Sequence, residues 1–221
     1  MKIELKRHDE ELPDDVSLAL VICGETTDDG QRHTGFVVRN LLGEVWLYHL
    51  GGNDRYLRTP FTPRYSYLLI PIMQPENASS IINFLTILYD VTGGKVKYSI
   101  GWDDKEYIDD AGALVALEAG DGFTCATFVL ESLKRYGMDL VARKTWPITA
   151  QDTAWQEGIL KVAQLAPEQF FAQVKQVGKY PRFRPEQALG AAHYFTGAQL
   201  PYSTVAPAGQ EVVAEMVRLS A

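Results

Sequence analysis

The sequence predicts an α+β domain, an antiparallel sheet packed on helices, followed by a helical C-terminal extension. Three observations carry this reading. Short apolar, β-rich runs between residues 16 and 72 are separated by turn residues. Two later segments, at 77–91 and 124–136, repeat their apolar residues at helical spacing. From Leu140 onward the chain turns rich in Ala and Gln and is cut by prolines. A chain of 221 residues, 46% apolar and 22% charged, has ordinary globular composition and can bury a core without staples.

Val16 to Cys23 is a near-continuous apolar run and reads as a buried strand. His33–Arg39 and Glu44–Leu50 flank Asn40-Leu41-Leu42-Gly43 and read as a hairpin. Gly51–Arg64 reads as a long loop suited to substrate contact, and Tyr65–Ile72 as a further strand. A helix is expected over Asn77–Val91. Asn77 would cap it, Ile81, Phe84, Leu85 and Leu88 would form its apolar face, and Gly93-Gly94 would stop it. A second helix runs over Thr124–Tyr136, capped by Thr124 and ended by Gly137. Helices are expected near 152–166, 167–177, 186–195 and 210–219, separated by Pro181, Pro185, Pro201 and Pro207. Residues 1–140 are thus expected to form a core, and 141–221 a helical extension packed on it rather than an independent domain.

Composition excludes several functions. Lys plus Arg is 21 against 28 for Asp plus Glu, a net charge of −7, and the basic residues are scattered, which disfavours a nucleic-acid partner. Only Lys179–Arg184 mixes base with aromatic, and it reads as a Pro-stiffened surface loop. The acidic stretch Asp103, Asp104, Glu106, Asp109, Asp110 lacks the spacing of a calcium loop and reads as solvated. Four His and two Cys make a structural zinc site improbable, and neither metal nor cofactor is expected. No apolar run reaches membrane-spanning length, and the N-terminal residues contain no apolar signal segment. Cytoplasmic synthesis is therefore expected, with any export by a signal-independent route.

The remaining chemistry lies in Cys125, His33 and His49. Cys125 opens the second helix, where the positive end of the macrodipole and free N–H groups favour a thiolate and a nearby oxyanion. Alone, it equally fits a small buried residue on a core stripe. A hairpin centred near Leu41 would set His33 opposite His49 on one face, so that one imidazole can serve as base and the other orient it. Cys23, mid-strand, reads as a core thiol, and His8 and His193 as surface residues.

In order along the chain, RHTGFVVR (32–39), EVWLYHL (44–50), GKVKYSIGW (94–102) and FTCATFVLESLKRYG (123–137) resemble the circularly permuted papain-like superfamily, the permuted branch of the NlpC-type cysteine peptidases, which includes lecithin retinol acyltransferase. The resemblance covers residues 16–137. It implies a papain-like fold with Cys125 as nucleophile, His33 as base and His49 as orienting residue. It also implies substrate contact by Tyr98, with Trp102 and Thr124 expected beside the groove. The implied activity is hydrolysis of a peptide or isopeptide amide through a thioester, with bacterial cell-wall peptides as the favoured substrate. An antibacterial effector of that kind would also have a delivery or immunity protein as partner. The alternatives are a lipid thioesterase or acyltransferase of the same superfamily, and a non-catalytic binding module on the same scaffold.

Overall fold

A computed structural model of the chain describes residues 2–27, 30–109, 111, 113–115 and 118–220. Five strands, β1 (Leu18–Gly24), β2 (Arg32–Arg39), β3 (Val45–Leu50), β4 (Tyr56–Pro60) and β5 (Ser66–Leu68), form one antiparallel sheet of order β4-β3-β2-β1-β5. Six helices follow: α1 (Pro75–Thr92), α2 (Cys125–Arg135), α3 (Ala150–Val162), α4 (Pro167–Val174), α5 (Pro185–Tyr194) and α6 (Tyr202–Ser220). The architecture is α+β, as expected.

The sheet has two covered faces, because its strands alternate apolar residues to both sides. Leu18, Leu20, Ile22, Phe36, Val38, Tyr48 and Leu50 pack on the helices. Ala19, Val21, Cys23, Val37 and Leu47 point the other way, under Leu12, Tyr65 and Tyr67. The second face explains why β1 reads as a continuous apolar run.

Several boundaries differ from the sequence reading. The expected loop 51–64 contains β4, an edge strand paired with β3, in which Tyr56 is buried and Arg58 and Pro60 are exposed. Only Tyr56 of the five residues is buried, so the apolar signal is weak, and Pro60 fits an edge because it cannot donate to a ladder. The strand expected over 65–72 is only Ser66–Leu68. Helix α1 begins at Pro75 with Gln74 as N-cap, so Asn77 lies in its first turn, while Gly93 stops it at φ 58° as expected. Pro207 lies inside α6 and separates nothing.

The C-terminal helices complete the core. Leu189, Ala191 and Ala192 of α5 are each 0% exposed, and they join one cluster with Leu20, Phe36 and Val129. Helices α5 and α6 cross closely at Gly190, where a Cβ would come within 2.8 Å of the Ala208 Cβ. Residues 141–220 are therefore not merely laid on a finished core. No helix among the described residues is long and apolar enough to cross a membrane.

Candidate active site

The N-terminus of α2 is built by local chemistry. Thr124 is extended (φ −81°, ψ 172°), and its Oγ1 accepts from Thr127 N at 3.2 Å. Thr127 Oγ1 in turn accepts from Thr124 N at 2.8 Å, closing a reciprocal cap. Cys125 is thereby fixed as the first helical residue, where backbone N–H groups lack intrahelical partners. Just before it, Gly122 adopts φ 146°, and a Cβ there would lie 2.4 Å from Lys97 O. This close approach lets Phe123 N donate to Lys97 O and bridges Phe123 to Tyr98.

The segment carrying Tyr98 is held by side-chain amides rather than by a long ladder. Gln173 Oε1 accepts from Ile100 N at 3.1 Å, and its Nε2 donates to Tyr98 O at 2.6 Å. Gln169 Nε2 also reaches Tyr98 O, at 3.0 Å, and Gln176 Nε2 reaches Gly120 O at 3.0 Å. These three residues stand at i, i+4 and i+7 on or just beyond α4, a spacing that places them on one face.

The histidines meet, but not as directly opposed residues. Asn40 pairs with Glu44 around a three-residue loop in which Gly43 takes φ 81°. The hairpin is thus centred on Leu42, Phe36 pairs with Tyr48, and the expected register is shifted by two residues. A shift of two preserves the face. Continued along the strands, it sets His33 opposite Gly51 and His49 opposite Gly35. The two rings converge on the diagonal, with His33 Nε2 2.7 Å from His49 Nδ1. Gly35 makes room for this: a Cβ there would stand 2.7 Å from the His49 Cβ and 2.5 Å from Tyr48 O.

His33 pairs with Cys23 and so lies on the sheet face away from α2. Cys125 and His33 do not approach across a shared face. Both instead face the open end of the strands, beyond the Phe36–Tyr48 pair where the β2–β3 ladder ends. There both line a cavity of about 270 Å³, together with Tyr98, Thr124, Arg182 and Trp155. No Cys125–His33 hydrogen bond is formed among the described residues; His33 is bonded to His49 instead.

Electrostatics at the site follow burial. Burial pushes the Cys125 thiol up to about 11, although N–H groups of Thr34 and Ala126 directed at the sulfur oppose the rise. The expected lowering by the helix terminus is overturned, because removing the thiolate from water outweighs the partial charge of one helix end. Burial, then the neighbouring His49 and Arg64, lowers His33 to about 3. Burial and the cations Arg64 and Arg55 lower His49 to about 4. Burial also pushes the Tyr98 phenol up. At rest the thiol and both imidazoles are therefore neutral.

Other sequence-predicted residues divide. Tyr98 and Thr124 line the cavity. Trp102, expected beside the groove, is a core residue: its Nε1 donates to Glu131 Oε2 at 3.1 Å, and Arg143 lies over its ring at 3.5 Å. An indole with its N–H satisfied on a buried carboxylate is not free for substrate. His193, expected at the surface, is buried in α5, whereas His8 is half-buried with Nε2 3.0 Å from Phe61 O. Lys179–Arg184 is not a plain surface loop, since Arg182 and Phe183 are buried and form part of the cavity wall. In the acidic stretch, Asp103 accepts from Tyr107 Oη at 3.1 Å, and Asp110 lies outside the described residues. Sequence reasoning missed Arg182 and the α4 glutamines. The base–aromatic mixture at 179–184 and the Gln spacing were the available signals.

Among the described residues, no three His, Cys, Asp or Glu side chains gather as a metal site. Comparison with family models, curated proteins and solved structures finds no match for this chain.

Proposed function

We propose that this chain is a cysteine hydrolase that cleaves an amide through a thioester on Cys125, on a permuted papain-like scaffold. The observation that carries the reading is one cavity lined by a thiol at a helix N-terminus and by His33, whose Nε2 is hydrogen-bonded to His49 behind it. Because thiol and imidazole are both neutral at rest, the thiol proton passes to His33 only as the sulfur attacks the carbonyl carbon. For this, His33 Nε2–H donates to His49 Nδ1 and leaves Nδ1 of His33 as the acceptor. The His33–Cys125 hydrogen bond has to close when substrate enters, as catalytic contacts commonly tighten on binding. The developing oxyanion takes hydrogen bonds from N–H groups at the start of α2. His33 then protonates the leaving amine, and a water resolves the thioester, returning the thiol.

For substrate, the resemblance of residues 16–137 to NlpC-type peptidases favours a peptide or isopeptide amide of the bacterial cell wall. An effector role, with a delivery or immunity protein as partner, extends that reading. Incubation with purified peptidoglycan and chromatography of the soluble products tests it. Released peptides with the wild-type protein and none with Cys125→Ala are expected; equal release from both, or none from either, would defeat the cell-wall version.

A second reading, turnover of acyl esters or thioesters, is favoured by the apolar wall that α3 gives the cavity through Trp155, Ile159 and Val162. Cys125-dependent hydrolysis of acyl esters without peptide cleavage would select it.

A further inference from the structure

Three guanidinium groups and two carboxylates gather where α5 meets the cavity. Arg32 Nη1 is 3.0 Å from Glu186 Oε1, and Arg184 Nη2 is 3.0 Å from Asp152 Oδ1. Each acid thus has an arginine of its own within hydrogen-bond distance, although among the described residues Glu186 Oε2 is left without a partner. Arg182 is the cation left over: among the described residues it makes neither an ion pair nor a side-chain hydrogen bond. It is only 9% exposed, and its guanidinium lies over the Trp155 ring, 3.9 Å from the centroid.

Glu186 and Asp152 attract Arg182 only through space, so its forked donors, which match a carboxylate, are left without one. Its surroundings point the same way. Among the described residues, the cavity is lined by Arg32, Arg55 and Arg182 and by no Asp or Glu, in a protein whose net charge is −7. Arg182 also acts on the reacting end, since it is among the charges that favour the Cys125 thiolate. Burial and the adjacent Arg184 lower Arg182 to about 10, so it keeps its charge at neutral pH.

We propose that Arg182 is the specificity residue of this cavity and binds a carboxylate carried by the acyl substrate beside the carbonyl that Cys125 attacks. The proposal rests on the hydrolase reading for its substrate, but the anion site itself does not depend on turnover.

Alkylation of Cys125 by two near-isosteric reagents, iodoacetate and iodoacetamide, tests the site. In each case the sulfur forms a bond to carbon, iodide leaves, and the thiol proton passes to buffer. Only iodoacetate carries the carboxylate. The rates at Cys125 are followed by peptide mapping, with glutathione as reference thiol. The iodoacetate-to-iodoacetamide rate ratio is expected to exceed that of glutathione at least tenfold. Arg182→Gln should return it to the glutathione value, and Arg182→Lys should leave it between the two. A wild-type ratio equal to that of glutathione, or one unmoved by Arg182→Gln, overturns the proposal. If Arg182→Gln loses its circular-dichroism fold, competition in the wild-type protein decides. N-acetylglycine should slow iodoacetate more than its carboxamide does, and equal protection overturns the site. A raised ratio in a protein that hydrolyses nothing would sink the hydrolase reading alone; Cys125-dependent hydrolysis with an ordinary ratio would sink the anion site alone.

Discussion

His33 and His49 each face a glycine across the β2–β3 register, and the diagonal contact of their rings depends on that space. Gly35→Ala would drive a Cβ into Tyr48 O and the His49 Cβ. Loss of Cys125-dependent activity is expected, with a drop in stability readable by urea denaturation. The neutral resting pair makes its own prediction. With His33 held near 3 and Cys125 near 11, kcat/KM should be flat from about pH 5 to pH 8, with no inflection near the ordinary histidine value of about 6.5. A clear inflection there would mean that an ordinary imidazole governs the rate. The same lowered values link folding to pH. Between about 6.5 and the folded values, about 3 for His33 and 4 for His49, the unfolded chain binds more protons than the folded one. This contribution to stability is fully present above pH 6.5 and is lost as pH falls through the window. Denaturant titrations at pH 7 and pH 4.5 should show the loss, and His33→Gln should reduce it.

At the scale of elements, α4 substitutes for a strand. Its glutamines satisfy backbone groups of residues 98–100 that a sheet partner would otherwise take. Gln173→Leu strands Ile100 N and removes the shortest bond to Tyr98 O, so a loss of about 1–3 kcal/mol is expected in chemical denaturation. Because Tyr98 lies in the cavity wall, activity should fall with stability. The Thr124–Thr127 cap of α2 gives a milder case. Thr124→Ala removes the acceptor of Thr127 N and should cost about 1 kcal/mol.

At the scale of the whole molecule, the strand end where Cys125 and His33 line one cavity is closed off by elements far apart in sequence. Arg32 on β2 is tied to Glu186 on α5 by a pair whose side chains are 1% and 6% exposed. Helix α5 buries Leu189 completely against the sheet side of the core. Leu189→Ala should therefore cost about 2–5 kcal/mol, the range for emptying a packed leucine site. A chain ending at Leu140 would lack α5 and α6, and it is expected to give no cooperative unfolding transition by circular dichroism.

Local pattern was enough for the strands β1 to β3, the boundaries of α2, the glycine stop of α1 and the nomination of Cys125, His33 and His49. Each depends on neighbours in sequence: apolar runs, caps, a turn. The pairing of the two histidines on one face was also legible, because a register error of two residues leaves the face unchanged. Tertiary structure alone decided the rest. It buried Trp102 on Glu131, brought Arg182 into the cavity, and raised the thiol where the helix end by itself would lower it. Burial and charge partnership arise from segments separated by tens to more than a hundred residues. No periodicity within a segment encodes which distant group removes its water or takes up its carboxylate.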